Sequence, residues 1–171
     1  MAHESRLTGE LRALLQTQRV AALGTLCEDG APLVSMVPFA IEPGSACLVI
    51  HVSGLAAHTR NLQASPAVSL LILQAEVQGE PVHALPRVTL QGRAEVLVPA
   101  SPAWAACRAA YLARFPQAEP MTQLGDFMFV ALHVSTARQV AGFGAARSLD
   151  PTELAQVLRG ATKSGDAALA D

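Results

Sequence analysis

The sequence predicts a mainly β, antiparallel barrel of about six strands with helices at its margins. Two observations carry this prediction. Apolar, β-forming stretches follow one another along the chain, with turn signals every eight to twelve residues or so, and helical patterns are confined to short segments. The chain has 171 residues, of which 51% are hydrophobic and 15% charged, which is enough for one domain with a sizeable core.

The first element is an amphipathic helix, predicted over about 5–18 because four leucines recur at helical spacing: Leu7, Leu11, Leu14 and Leu15. The stretch RVAALGTLCEDGAPLVSMVPFAIEP then predicts two strands. Asp29-Gly30 separates them and supplies the positive φ that a hairpin turn needs. A further turn at Pro43-Gly44 leads to a third strand, ACLVIHVS.

The middle of the chain combines one short helix with two strands. LAAHTRNLQAS has helical propensity and ends before Pro66. AVSLLILQAEV is apolar enough for a strand that is buried on both faces or lines a subunit interface. RVTLQGRAEVLVP alternates well, and Gly92 in its centre predicts a bulge or bend.

The C-terminal part returns to helices around the last strands. Ser101 predicts an N-cap and Pro102 a first turn for the helix PAWAACRAAYLARF. DFMFVALHVSTARQVAGFG predicts one or two strands, and a short helix follows over about 150–160. The barrel therefore covers about 19–145, within a single domain over 1–171. We expect the tail ATKSGDAALAD to be loosely held.

Composition excludes several classes of function. A net charge of -2 provides no global field for nucleic acid or an anionic membrane surface. Three widely separated cysteines argue against a disulfide framework or a zinc site, and no apolar run approaches about 18 residues. We therefore expect a soluble, cytoplasmic protein. The low charge content also suggests an apolar surface covered by a partner, which predicts a homodimer.

One segment, HVSGLAAHTRNL, has the chemistry of an anion site. The hydroxyls of Ser53 and Thr59 can donate hydrogen bonds, the helix start near Ala56 presents backbone N–H groups, and Arg60 provides a planar cation. Arg87, at the start of the RVTLQG strand, could contact a second anionic or carbonyl group. The alternative is that Arg60 lies on a solvated helix face, that Ser53 only ends a strand, and that Arg87 points into solvent.

Other candidate sites are weak. The histidines His51, His58, His83 and His133 lack metal-ligand spacing and have no acidic cluster beside them. There is no G-x-S-x-G nucleophile motif, and no cysteine has a base near it in sequence. The GFG segment at 142–144 lacks the third glycine and the βαβ context of a nucleotide loop, so we interpret it as a turn at a strand end.

The order of the motifs GTLCEDGAPLVSMVPFA, HVSGLAAHTRNL, SLLI, RVTLQGRAEVL and GFGAA resembles the pyridoxamine 5′-phosphate oxidase-like, FMN-binding split-barrel family. The resemblance covers about residues 10–150. It is strongest to the haem-utilisation branch, whose members carry an S-x-L-A-x-H-T-x-N-like signature, an R-x-T-L-x-G strand and a G-F-G-x-A segment. The HTRN signature is fairly specific, whereas the hairpin and the GFG turn are weak by themselves.

The resemblance implies a homodimer of six-stranded, Greek-key split barrels with FMN at the subunit interface. The second strand would lie along the flavin ring, and the third strand with the following helix would hold the 5′-phosphate. The strand near residue 87 would approach from the partner region. The implied cofactor-binding residues are Ser35, Met36, Val37, Pro38, Ser53, His58, Thr59, Arg60, Asn61, Arg87 and Gln91.

The function predicted on this basis is an FMN-dependent oxidoreductase with an unknown small-molecule substrate. One alternative is haem binding or haem degradation on the same fold, with His51, His58 or His133 as the axial ligand. Another is a non-catalytic flavin carrier or sensor, and a deazaflavin could replace FMN. The resemblance departs at the end of the chain, because ATKSGDAALAD contains neither the Arg nor the His of the oxidases' substrate-binding tail.

Overall fold

The computed structural model describes residues 4–160. Four α-helices, eight strands and two 3₁₀ segments lie within this range, in an α+β arrangement dominated by one sheet. The helices are α1 (Arg6–Thr17), α2 (Ala57–Ala64), α3 (Pro102–Arg114) and α4 (Pro151–Gly160). The strands are β1 (Val20–Leu26), β2 (Pro32–Pro38), β3 (Ala40–Glu42), β4 (Cys47–Ser53), β5 (Ala67–Leu73), β6 (Arg87–Val96), β7 (Phe127–Val140) and β8 (Ala146–Leu149). The 3₁₀ segments are Val82–Ala84 and Pro116–Gln123.

All eight strands belong to one antiparallel sheet. Its order is β2-β1-β5-β6-β7-β4-β3, and β8 pairs with the second half of β7. The 14-residue strand β7 spans the sheet's centre, because its first half pairs with β4 and most of its length pairs with β6. The sheet curls so that β2 also packs against β4, which gives a half-barrel.

The strand count differs from the six predicted. The second predicted strand is divided into β2 and β3 at Pro38 and Phe39. Proline cannot donate to a sheet ladder, and the chain here changes partners from β1 to β4. The eighth strand, β8, follows the turn at Gly142 and Gly144, both of which have positive φ.

Two apolar cores lie on the two faces of the sheet. The inner core fills the half-barrel and is closed by α1 and α4, whose buried leucines include Leu11, Leu15 and Leu154. The outer core lies beneath α3, where Tyr111 packs against Phe129 at the face of β7. The outer face is therefore covered only where α3 lies over β3, β4 and the start of β7.

Local sequence signals explain several features of this framework. Ser101 caps α3 by accepting the Trp104 N–H, and Pro102 follows in the first turn. Gly92 sits at a register shift between β6 and β7, as its position within the strand predicts. A Cβ at Gly92 would lie 2.0 Å from the His133 carbonyl oxygen, so only glycine fits this close approach.

Hydrogen bonds from Arg114 fix α1 to α3. The Arg114 guanidinium donates to the carbonyls of Leu15, Gln16 and Gln18 at the end of α1. It also lies 4.9 Å from the ring centroid of Phe39.

No helix within residues 4–160 is long and apolar enough to cross a membrane.

Candidate functional site

Helix α3 packs on β3, β4 and β7 and leaves the outer face of β1, β2, β5 and β6 uncovered. Cross-strand partners share a face, and the register aligns Met36 with Ala22, Leu71 and Thr89 in one row across the four strands. We call this surface the uncovered sheet face. Its members are Val20, Ala22, Gly24, Val34, Met36, Ser69, Leu71, Leu73, Arg87, Thr89, Gln91 and Arg93.

Large apolar side chains are exposed on the β2 side of this face. Val34 is 69% and Met36 65% exposed, and Val20 and Leu73 are also exposed. These residues line a cavity of about 420 Å³ at the sheet surface. Clustered exposure of this kind is typical of a ligand or subunit interface, whereas single exposed apolar residues are ordinary.

Arginines lie at the other side of the uncovered sheet face. Arg87 pairs with Leu73 across β5 and β6, Arg93 pairs with Ala67, and Arg138 of β7 lies opposite Thr89. Within residues 4–160 no carboxylate lies within ion-pair distance of these three guanidinium groups. Their charges are therefore available to an anion.

Arg87 is the most enclosed of these arginines. It is partly buried, and its Nη1 donates to the carbonyls of Leu85 at 3.0 Å and His83 at 3.4 Å. These neutral acceptors orient the guanidinium without cancelling its charge. Arg87 also lines a second cavity, of about 350 Å³, between α1 and the ends of β5–β7.

The predicted anion segment uses its hydroxyls within the fold. Thr59 is fully buried, and its Oγ1 donates to the Ser53 carbonyl at 2.7 Å. Ser53 Oγ donates to Asp126 Oδ2 at 2.9 Å and accepts from the Leu55 N–H. An anion at Ser53 would therefore meet a carboxylate, which opposes binding at that hydroxyl.

The neighbouring residues of the segment are also tied to the framework. Asn61 is buried and donates to Thr25 Oγ1 at 3.0 Å, which fixes α2 to β1. Arg60 is exposed and its Nη1 donates to the Leu55 carbonyl at 3.1 Å. His58 is half-buried on α2, and burial lowers its pKa. Arg60 is thus the residue of this segment that retains charge at the surface.

The predicted ring-contacting residues divide between the two faces of β2. Met36 points to the uncovered sheet face, whereas Ser35 and Val37 share the inner face with Leu23 and Ala21. Ser35 Oγ is buried and has no hydrogen-bond partner among the described residues. Pro38 ends the strand and is partly buried.

Gln91 lies on the uncovered sheet face at the bulge between β6 and β7. Its Oε1 accepts from Thr136 Oγ1 at 3.2 Å. The register shift follows Gln91 directly, and Arg93 is the next residue of β6 on the same face.

The candidate axial histidines occupy different environments. His51 is buried beneath α3, 4.4 Å in centroid distance from Phe129 and 5.8 Å from Tyr111. Burial lowers its pKa, and its Nδ1 has no hydrogen-bond partner among the described residues. His133 is half-exposed beside Arg93, and its Nε2 lies 2.7 Å from Glu95 Oε2. Of these two, only His133 is accessible at the edge of the uncovered sheet face.

The sequence did not single out Val34 and Arg93 of this face, or Arg138 beside it on β7, as candidate site residues. Arg93 could have been found, because it lies six positions after Arg87 and strand alternation places both on one face. Val34 and Arg138 required the strand pairing, since they come from β2 and β7.

Comparison with known proteins assigns the fold to a family. The profile of pyridoxamine 5′-phosphate oxidase matches residues 7–141, which is most of the chain. The chain belongs to the pyridoxamine 5′-phosphate oxidase family. This confirms the predicted family and split-barrel class.

Relatives within this family carry names that refer to haem. Heme oxygenase HutZ of Vibrio cholerae is 29% identical over 153 residues, covering 88% of this chain and 85% of HutZ. The chloroplastic heme oxygenase HOZ of Arabidopsis thaliana is 36% identical over 139 residues, covering 80% of this chain but 41% of HOZ. The chain thus spans less than half of that plant protein.

Solved structures of the family agree with these matches. The heme-binding protein from Mycobacterium smegmatis superposes with a TM-score of 0.79 at 32% identity, covering 91% of this chain and 62% of that one. The structure of HutZ, described as a heme storage protein, gives a TM-score of 0.70 at 28% identity, covering 76% and 91%. The predicted likeness to the haem-utilisation branch is confirmed.

Proposed function

We propose that this protein binds haem on the uncovered sheet face, at the interface of a homodimer, and serves in haem degradation. The observation that carries the proposal is the pairing of an exposed apolar surface with arginines on one face of the sheet. The names of the relatives in the same family support haem as the ligand.

The exposed apolar part of the uncovered sheet face suits the flat ring of a porphyrin. Ala22 and Gly24 keep the centre of the surface low, while Val34 and Met36 project beside them. A planar apolar ligand would remove these side chains from water, which is favourable by about 25 cal/mol for each Å² of apolar surface. A second copy of the chain would cover the opposite side of the ring and bury the rest of the exposed patch.

The arginines suit the two propionates of haem. A carboxylate beside a half-buried guanidinium gains a charge-assisted hydrogen bond. Arg87 is held by main-chain carbonyls at the β5 side of the face, and Arg93 and Arg138 lie on β6 and β7. These groups carry no carboxylate partner within residues 4–160, so a propionate would not have to displace one.

His133 is the residue best placed to ligate the iron. Glu95 holds its Nε2, which leaves Nδ1 as the ring nitrogen available to a metal. A carboxylate bonded to the second nitrogen of a ligating histidine fixes the ring and raises its basicity. The redox chemistry itself would belong to the haem iron. The chain's tasks are to orient the ring, neutralise the propionates and limit access of water.

Haem titration followed by the Soret band tests the proposal, with matched substitutions at two valines of nearly equal exposure. Val34 is 69% exposed on the uncovered sheet face, and Val98 is 71% exposed in the loop after β6. We expect Val34→Asp to weaken haem binding at least tenfold and to shift the protein towards monomer in sedimentation. Val98→Asp should change neither. Equal affinity in both variants and the wild type would exclude this face as the haem site.

A second pair of variants tests the role of charge. Arg138→Ala should weaken haem binding several-fold, and the loss should shrink as salt concentration rises. Arg6→Ala removes an exposed arginine of α1 that pairs with Glu10 and serves as the control. Haem binding that is insensitive to Arg138→Ala and Arg93→Ala together would contradict propionate recognition on this face.

FMN binding is the second candidate, favoured by the family match and by β2. This strand is at the edge of the sheet, so one side of its backbone is free to bond the polar edge of a flavin ring. The buried, unpartnered Ser35 hydroxyl lies in the same strand. Arg60 would contribute to phosphate binding. A flavin absorption spectrum in the purified protein, without a Soret band on haem addition, would favour this function and an oxidoreductase over haem degradation.

A further inference from the structure

A cavity of about 350 Å³ lies between α1 and the ends of β5, β6 and β7. One wall is the stripe of α1 that carries Glu10, Ala13 and Leu14, and the other wall contains Arg87 and Val140. We call this space the α1 cavity. Its volume lies within the range of about 300–1,000 Å³ that is usual for small-molecule sites. The haem and FMN sites proposed above share only Arg87 with it.

The walls of the α1 cavity are suited to an alkyl chain. Leu14 and Val140 contribute apolar side chains. Gln139 also lines the cavity, but it is 2% exposed and both ends of its amide are already bonded. Its Nε2 donates to the Leu7 carbonyl at 2.8 Å, and its Oε1 accepts from Arg147 Nε at 2.9 Å. An alkyl chain would therefore leave water here without depriving Gln139 of its partners.

One permanent charge borders this apolar space. Arg87 is partly buried, and its Nη1 donates to the carbonyls of Leu85 at 3.0 Å and His83 at 3.4 Å. Among residues 4–160, its Nε and Nη2 have no hydrogen-bond partner, and no carboxylate lies within ion-pair distance of it. A guanidinium binds a carboxylate through two parallel N–H groups, so these unused donors favour a carboxylate ligand.

Glu10 is the other charged residue of the lining. Its carboxylate is ion-paired with Arg6 on α1 and does not lie within ion-pair distance of Arg87. The charge of Glu10 is therefore compensated within the helix, whereas the charge of Arg87 meets only neutral main-chain carbonyls. The charged group that the α1 cavity leaves without a counter-charge is thus the cation.

We propose that the α1 cavity binds a small monocarboxylate with a short alkyl chain. The carboxylate accepts hydrogen bonds from Nε and Nη2 of Arg87, and the chain lies between Leu14 of α1 and Val140 at the end of β7. Hexanoate carries both groups and serves as the probe. Binding requires neither haem nor FMN, so the α1 cavity is tested separately from the function proposed above.

NMR titration of the isotope-labelled full chain, without added haem, tests the preferred charge of the ligand. The probes are hexanoate, hexan-1-ol and hexylammonium, which share one chain length. We expect saturable binding of hexanoate and about tenfold weaker binding of hexan-1-ol, because the alcohol lacks the charge-assisted bond. Hexylammonium should not bind, and added salt should weaken hexanoate binding. Equal affinity for all three probes, tighter binding of hexylammonium, or no saturation by hexanoate would overturn the proposal.

Matched arginine variants locate the carboxylate. Arg87→Gln should weaken hexanoate binding about tenfold and leave hexan-1-ol binding unchanged. Arg108→Gln is the control, because Arg108 of α3 is ion-paired with Glu119 and does not line the cavity. It should change neither affinity. The same hexanoate affinity in both variants would refute carboxylate binding by Arg87.

A cavity-filling variant locates the alkyl chain and decides the question if Arg87→Gln does not fold. Ala13 is exposed on α1 and lines the cavity, so Ala13→Phe should block hexanoate binding. Ala109→Phe, at an exposed position of α3 outside the cavity, should leave hexanoate binding unchanged. Haem affinity, followed by the Soret band, should be equal in the two variants. Hexanoate binding that persists in Ala13→Phe, or loss of haem and hexanoate binding together, would exclude a separate site in this cavity.

Discussion

The substitution Thr59→Val tests whether the HTRN segment is a ligand site or part of the framework. Thr59 is fully buried, and its hydroxyl donates to the Ser53 carbonyl at 2.7 Å. Valine has nearly the same shape but cannot donate. The Ser53 carbonyl also accepts from the Ala56 N–H at 3.1 Å, so it is not left without a partner. The loss is therefore that of one ordinary hydrogen bond, about 1 kcal/mol.

Thermal unfolding with calorimetric detection measures this effect. For a chain of this size, about 1 kcal/mol corresponds to a fall of about 2–4 °C in Tm. Thr17→Val is the matched control, because the Thr17 hydroxyl donates to Ala13 at 2.8 Å on an exposed turn of α1, and we expect its Tm to change by less than about 1 °C. Haem and FMN affinities should be unchanged in Thr59→Val. An unchanged Tm together with a tenfold loss of ligand affinity would refute the structural role.

Three further predictions concern the framework around the site. Arg114→Met should lower the free energy of unfolding, measured in urea, by about 2–4 kcal/mol, because it removes charged hydrogen bonds to the end of α1. The exposed control Arg6→Met should lower it by less than about 0.5 kcal/mol. Equal losses in the two variants would contradict the role of Arg114 in holding α1 to α3. Gly92→Ala should strongly lower Tm, because the added Cβ would overlap the backbone of His133 and Val134. Gly125→Ala is the control and should leave Tm unchanged, because no atom lies within 4 Å of its added Cβ. Similar Tm values for the two variants would show that the backbone at the bulge moves to accommodate the Cβ. Burial lowers the pKa of His51, so as pH falls the imidazole is protonated in the unfolded chain before it is protonated in the folded one. The free energy of unfolding should therefore fall as pH drops through about 6.5, with a slope from this group of at most about 1.4 kcal/mol per pH unit. His51→Phe should reduce that slope, and an unchanged slope would exclude His51 as its source.

Much of the fold could be predicted from local patterns. Leucine spacing marks α1, Ser101-Pro102 marks the start of α3, and Gly92 marks a bulge, because each signal depends on residues close in sequence. The division of the second strand at Pro38 was missed. A proline can also stand at a strand end or edge, and only the change of partner from β1 to β4 shows which role it has here.

The candidate site was predicted less completely. The HTRN segment is polar for a reason that its sequence does not reveal: Thr59 and Asn61 turn inward to Ser53 and Thr25, and only Arg60 keeps its charge at the surface. These side chains hold α2 against β4 and β1. Whether Arg60 also binds a phosphate stays a prediction.

By itself, the sequence determined the succession of strands and short helices, the helix caps, the obligatory glycine and the family, because these follow from periodicity, backbone chemistry and motif order. Only the tertiary structure decided which side chains act together. Strand register placed Val34, Met36, Arg87 and Arg93 on one face, and helix packing placed Tyr111 of α3 against Phe129 of β7. The physical reason is that side-chain direction alternates along a strand, while its neighbours come from distant segments. The residues of a site on a sheet surface therefore depend on which strands pair and on which helices cover the sheet. Short stretches of sequence encode neither.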